Sequence, residues 1–270
     1  MDVASPLVLS LGRHRAHARR LPRFGLELAG LEPGGDAVTD GDRDWLQRLL
    51  AEPDARDALF TLVDREGLVV CLDIDTAHPS YRDVRGRSSR GRLSQGEYYH
   101  HDGCSSDRPP RIVEIRCPHQ PQLRHTRTAI APFPDTVIAM LQCLPPALRG
   151  REELAPARAL APELGAVDAW NRAQGVITRM VRRELSAADA RAYFDDVDVE
   201  VGAWREPWRL GESRLIANDN AARTMQHRRA YLEPPGARPN GHLVKRWPAE
   251  LDAGPWCDGD DDDGACARGG

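Results

Sequence analysis

The chain is short of several things that mark familiar protein classes. Its 37 basic residues include a single lysine, Lys245; the rest are arginine. We read this skew as a genomic bias, with many guanidiniums simply solvated. A formal net charge of −4 argues against general affinity for nucleic acid. No apolar run reaches the ~18–20 residues needed to span a bilayer. No apolar stretch opens the chain as a secretory leader would, so a cytoplasmic protein without a membrane partner is expected. The six cysteines, Cys71, Cys104, Cys117, Cys143, Cys257 and Cys266, form no C-x-x-C pair. That removes the common zinc and dithiol motifs and leaves reduced thiols as the expectation. Internal repeats are absent.

What remains is a chain long enough, at 270 residues, for one large domain with a sizeable core. We expect that domain to cover 1–250. Its first 23 residues, Arg-rich from Arg13 to Arg23, read as a solvated, partly ordered arm. Residues 251–270 are rich in Gly and Asp and read as a disordered tail.

Residues 41–66 carry a helical pattern (Trp45, Leu46, Leu49, Leu50, then Ala58, Leu59, Leu62), which Pro53 should split in two. The apolar run Leu68–Leu72 reads as a strand buried on both faces. Residues 75–95 read as a surface loop. From Arg111 to Cys117, apolar Val113, Ile115 and Cys117 alternate with Glu114 and Arg116, the mark of a half-buried strand. Short strands are expected at 126–131, 214–217 and 242–247. Val197, Val199 and Val201 alternate with acidic neighbours and also read as a strand. Helices are expected at 135–144 and 168–185, with a loop or short helix between. Strands thus flank a helical segment without β-α alternation. The expected fold is mainly β with flanking helices (α+β), built on a double-stranded β-helix, or jelly roll.

The chemistry concentrates in Tyr99-His100-His101-Asp102-Gly103 and in the distant His227. On a strand, side chains alternate with period two, so His100 and Asp102 share a face and His101 points the other way. A second imidazole from a distant strand would complete a two-histidine, one-carboxylate set. Such a set suits non-haem Fe(II) and leaves positions open for other ligands.

Several segments, in order, resemble the taurine dioxygenase-like (TauD/TfdA) branch of the Fe(II)/2-oxoglutarate-dependent oxygenases. They are Tyr99–Gly103; Asp107-Arg108-Pro109-Pro110 and the strand after it; Leu210–Asn220, with its Asp219-Asn220; and Met225–Tyr231 around His227. The resemblance covers about 95–250 and, more loosely, 24–75. It implies His100, Asp102 and His227 as iron ligands. It implies 2-oxoglutarate and O2 as co-substrates, with succinate and CO2 released as a C–H bond is hydroxylated. It also implies a cation for the distal carboxylate of 2-oxoglutarate, where a planar guanidinium pairs well. Arg238, 11 residues after His227, is the first choice and Arg246 the alternative. A threonine hydroxyl usually adds a hydrogen bond there, which points to Thr128, with Thr126 as rival. The family's Gly-Gly before that threonine is missing, and Asp219-Asn220 stands about two residues further from His227 than usual. Tyr98 and Tyr99 are candidates for lining the pocket, with ordinary packing an equal alternative. The expected substrate is a small polar metabolite, amino-acid-like or carboxylated. Readings from other classes are a redox-inert metal (zinc) hydrolase and a non-catalytic jelly-roll binding protein.

Overall fold

The computed structural model describes residues 7–31, 45–72, 97–102, 110–116, 126–160, 167–209, 212–218, 223–231 and 244–246. The strands are β1 (Leu7–Leu11), β2 (His14–Arg20), β3 (Leu26–Leu31), β4 (Leu68–Leu72), β5 (Ile112–Arg116), β6 (Thr126–Pro132), β7 (Glu212–Ala217), β8 (Met225–Tyr231) and β9 (Val244–Arg246). The helices are α1 (Trp45–Ala51), α2 (Pro53–Glu66), α3 (Asp135–Gln142), α4 (Pro146–Arg149), α5 (Ala155–Arg158), α6 (Val167–Glu184) and α7 (Ala187–Val201). Helical residues outnumber strand residues in this set. The result is an α+β fold whose emphasis lies less on β than the sequence suggests.

Seven strands form one mixed sheet in the order β1-β2-β3-β4-β7-β5-β9, with β3 and β4 parallel and the other pairs antiparallel. A second sheet pairs β6 with β8, Ile130 facing His227 across the ladder. Single bridges widen it on both sides. His100 bridges to His227 beyond β8, and Trp204 and Pro207 bridge to Ile130 and Arg127 beyond β6.

Strand β7 lies inside the large sheet and every one of its residues is buried. One face packs on helices: where a Cβ on Gly30 of β3 would stand, the Trp45 ring of α1 already lies 2.6 Å away. Glycine is therefore required for α1 to approach this closely. The other face meets the small sheet, since Arg214 of β7 donates to the Thr128 carbonyl of β6 (3.4 Å) and stacks on Trp208 and Trp204 at 3.6 and 4.3 Å. Ile130 belongs to the core of the large sheet, whereas its neighbours Ala129 and Ala131 belong to the core under α3, α6 and α7. The small sheet is thus sandwiched, and its alternation sorts residues between two interiors.

Pro53 does divide the first helical pattern, standing at the first turn of α2, where its missing N–H costs nothing. Three expectations fail. The Arg-rich start is not a solvated arm: Leu7–Leu11 and His14–Arg20 are β1 and β2 of the large sheet, and Leu11, Ala16, Ala18 and Leu21 are buried in its core. Residues 197–201 are the end of α7, not a strand. Ser186 caps that helix, accepting from the Asp189 N–H at 3.1 Å, and Ala190, Tyr193, Phe194 and Val197 bury a 3.6-period face. Val199 is 67% exposed, so the Val-x-Val-x-Val alternation is incidental. Strand β5 is not half-buried either: Glu114 is only 3% exposed and accepts from the Ser213 hydroxyl at 2.8 Å. Ile112, Val113 and Ile115 are buried with it, so both faces of β5 are covered. The 75–95 loop and the tail lie outside the described residues.

Candidate metal centre

His100, Asp102 and His227 come from segments more than a hundred residues apart and converge between the two sheets. One ligand atom from each lies within 4.8 Å of the others. His227 Nε2 stands 3.3 Å from Asp102 Oδ2, and His100 Nε2 stands 3.7 Å from Asp102 Oδ1. The imidazoles lie with centroids 4.4 Å apart and planes inclined at 55°. Two ligands at right angles, each about 2.1 Å from one ion, stand about 3 Å apart. At 3.3 and 3.7 Å, the two histidine–Asp102 separations stand close to that value, so each pair fits a shared ion.

The local structure explains the convergence. The His100 and His227 backbones exchange hydrogen bonds of 3.2 and 3.3 Å, which fixes the two rings side by side. His100 Nδ1 lies 2.9 Å from the Tyr98 carbonyl. That carbonyl can only accept, so Nδ1 carries the proton and Nε2 is left as the donor atom for a metal. Among the described residues, 97–102, His100 alone makes a bridge, a single ladder step to His227.

Asp102 is held by a residue the sequence reading passed over. Asn218, 1% exposed at the end of β7, accepts from the Asp102 N–H at 2.8 Å. Its amide nitrogen donates to the Asp102 carbonyl at 2.9 Å and to the Pro110 carbonyl at 2.8 Å. One side chain thus replaces a missing strand partner. The local signal is the run Asn218-Asp219-Asn220, of which the family resemblance marks only the last two residues.

His101 turns away from the other two, as alternation requires. Its ring packs edge-on to Phe133 at 5.0 Å, and Nδ1 lies 3.3 Å from the Gln226 amide nitrogen. Burial, reinforced by His227, pushes its pKa down to about 3, so the ring is neutral.

Tyr99 is 1% exposed, and its hydroxyl donates to Asp198 of α7 at 2.7 Å. Burial and the Asp198 charge push this phenol well above its ordinary pKa, and the ring takes the packing alternative. Asp198 also receives two bonds from Arg228, at 2.8 and 2.7 Å. Burial opposes the Arg228 charge, but the Asp198 bonds outweigh it and raise its pKa. Tyr98 is half-buried beside the His100 ring, with centroids 6.5 Å apart. Thr128 is 2% exposed and shares a face with Ile130, which stands opposite His227. It therefore occupies the same interior as the three converging residues. Arg238 lies outside the described residues. Arg246 pairs with Glu114 in the β5–β9 register.

A cavity of about 620 Å³ lies elsewhere, lined by Arg23, Arg127, Asp198, Trp204 and Arg205 among others, and touches none of the three. We give it less weight. Arg23 donates to the Val201 carbonyl at the end of α7, and Arg205 stands 3.6 Å from Asp198. Two of its three guanidiniums are thus committed to neutralising a helix C-terminus and a carboxylate.

No known family model matches this chain. No curated protein matches it in sequence. Similar solved structures include AAD-2 in complex with Mn(II) and N-oxalylglycine (13% identity, TM-score 0.41, covering 86% of this chain and 95% of that one). A taurine dioxygenase from Burkholderia xenovorans has 13% identity and a TM-score of 0.41, over 85% of this chain and 88% of that one. PvcB, an Fe, alpha-ketoglutarate-dependent oxygenase from an isonitrile synthetic pathway, has 16% identity and a TM-score of 0.43, over 90% and 94%. Identities and TM-scores this low carry no argument of their own, so the functional reading rests on the side chains of the site.

Proposed function

We propose that this chain is an Fe(II)- and 2-oxoglutarate-dependent oxygenase that hydroxylates a small polar metabolite. The observation that carries the reading is the convergence of His100, Asp102 and His227 with the His100 tautomer set for Nε2 ligation. Two imidazoles and one carboxylate on one side of an ion leave its other side open, the arrangement of non-haem Fe(II) oxygenases. Sandwiching of the site between two sheets supports a jelly-roll core. Iron, with 2-oxoglutarate and O2, would supply the oxidation of an unactivated C–H bond.

The chain's own residues do the rest. His100 and His227 present neutral nitrogens, and Asp102 supplies the negative charge. Asn218 keeps the Asp102 backbone from rotating. Thr128 is the proposed hydroxyl donor to a 2-oxoglutarate carboxylate, supported by its sharing a face with Ile130 opposite His227, and Arg238 is the proposed cation for it. Tyr98, beside His100, is the proposed wall for the substrate.

The experiment is aerobic incubation with Fe(II), 2-oxoglutarate and a metabolite library, read by succinate release. Substrate-dependent succinate supports the reading, and a zinc hydrolase would release none. His100→Ala should abolish metal binding, measured by chelator competition, whereas His101→Ala should retain it. The reverse pattern would overturn the ligand assignment.

A further inference from the structure

Beneath the small sheet, on the side away from the metal, a buried cluster of amides links both histidine-bearing segments to the helices. Gln226, next to His227, is 0% exposed, and Gln174 of α6 is 7% exposed. Each donates to the other: Gln226 Nε2 to Gln174 Oε1 at 2.6 Å, and Gln174 Nε2 to Gln226 Oε1 at 3.1 Å. Gln174 Nε2 also donates to the Tyr99 carbonyl at 2.7 Å, in the peptide that leads directly into His100. The Thr136 hydroxyl of α3, 0% exposed, donates to Gln226 Oε1 at 2.7 Å. The remaining hydrogen of Gln226 Nε2 faces His101 Nδ1 at 3.3 Å.

This is costly chemistry to bury. Unpaired amides in an apolar interior are expensive, and an apolar pair of similar shape would pack with no such demand. What the amides add is direction. One end of the pair holds the peptide before His100 and the other belongs to the residue before His227. Neighbours on a strand point to opposite faces, so fixing Gln226 on the helix side fixes His227 on the metal side. The bridge between His100 and His227 is a single ladder step and sets their separation alone. The amide pair sets the tilt of each segment against α6 and α3.

We infer that Gln174 and Gln226 are positioning residues for the metal centre, with Thr136 orienting Gln226. This rests on the metal reading above. Groups that orient ligands without touching the ion typically change metal affinity by about 10- to 100-fold when removed. Gln174→Met and Gln226→Met keep the volume and remove the hydrogen bonds. Each should weaken Co(II) binding to the full chain by about 10- to 100-fold and alter the visible absorption of the bound Co(II). The double variant should lose little more than either single one, because both break the same pair.

Co(II) titration with chelator competition, alongside thermal unfolding of the metal-free proteins, tests this. A purely structural pair would lower the unfolding temperature and leave affinity and spectrum unchanged, which would overturn the inference. Thr136→Val removes only one hydroxyl and serves if a glutamine variant does not fold. A smaller loss of affinity with a shifted spectrum supports the inference, and unchanged binding sinks it. A wild-type chain that binds no Co(II) would instead bring down the metal reading itself.

Discussion

Asn218 shows how much one side chain can decide. Its amide makes three hydrogen bonds around Asp102, each to a backbone group in a buried setting. Replacing it by alanine strands those groups at about 1–3 kcal/mol apiece at most, relaxation reducing the sum. Asn218→Ala should therefore lower stability in urea and weaken metal affinity by about 10- to 100-fold. Asn218→Asp should do the same to metal affinity, because a carboxylate cannot donate to the Asp102 and Pro110 carbonyls. Unchanged chelator competition in both variants would remove Asn218 from the site. That His100 and Asp102 share a side and His101 takes the other was legible in the sequence from period-two alternation, whereas His227 entered only through the family resemblance. Asn218 was not legible, since its partners lie 116 and 108 residues away and no local pattern records them.

At the level of elements, α7 carries the main surprise. Its last turn has the alternation of a strand, three valines between acids, yet a cap at Ser186 and five buried positions outweigh that signal. The helix matters to the site because Asp198, 1% exposed, ties it to both Arg228 and Tyr99, neighbours in sequence of His227 and His100. Asp198→Ala would leave the Arg228 charge buried with less to pair against. Breaking a buried ion pair from one side costs about 3–5 kcal/mol. The expected outcome is a large drop in unfolding free energy, measured in urea. A loss under ~1 kcal/mol would mean that the Asp195 contact of Arg228, at 2.5 Å, carries the charge unaided.

For the whole molecule, a ligand that binds only the folded chain stabilises it by mass action. Metal at a hundredfold excess over its dissociation constant should add about 2.7 kcal/mol. For a chain of this size that raises the unfolding temperature by roughly 5–10 °C. We expect this with Fe(II) under anaerobic conditions or with Co(II), and a further rise when 2-oxoglutarate is added. 2-Oxoglutarate without metal should give little or none. A full-sized shift from 2-oxoglutarate alone would argue that it binds away from the metal.

The helices α1, α2, α3 and α6 and the strands β4 to β7 and β9 follow from local periodicity and breakers such as Pro53, and the amino-acid sequence determines them unaided. It also determines which residue types are available for a metal. Only the tertiary structure decided that His227 meets His100 across one ladder step, that β5 is buried on both faces, that Asn218 bonds to the Asp102 backbone, and that the Gln174–Gln226 pair bonds to the Tyr99 carbonyl. Those outcomes depend on contacts between segments far apart along the chain. The free energy of such contacts comes from the removal of water between surfaces, which no single segment encodes.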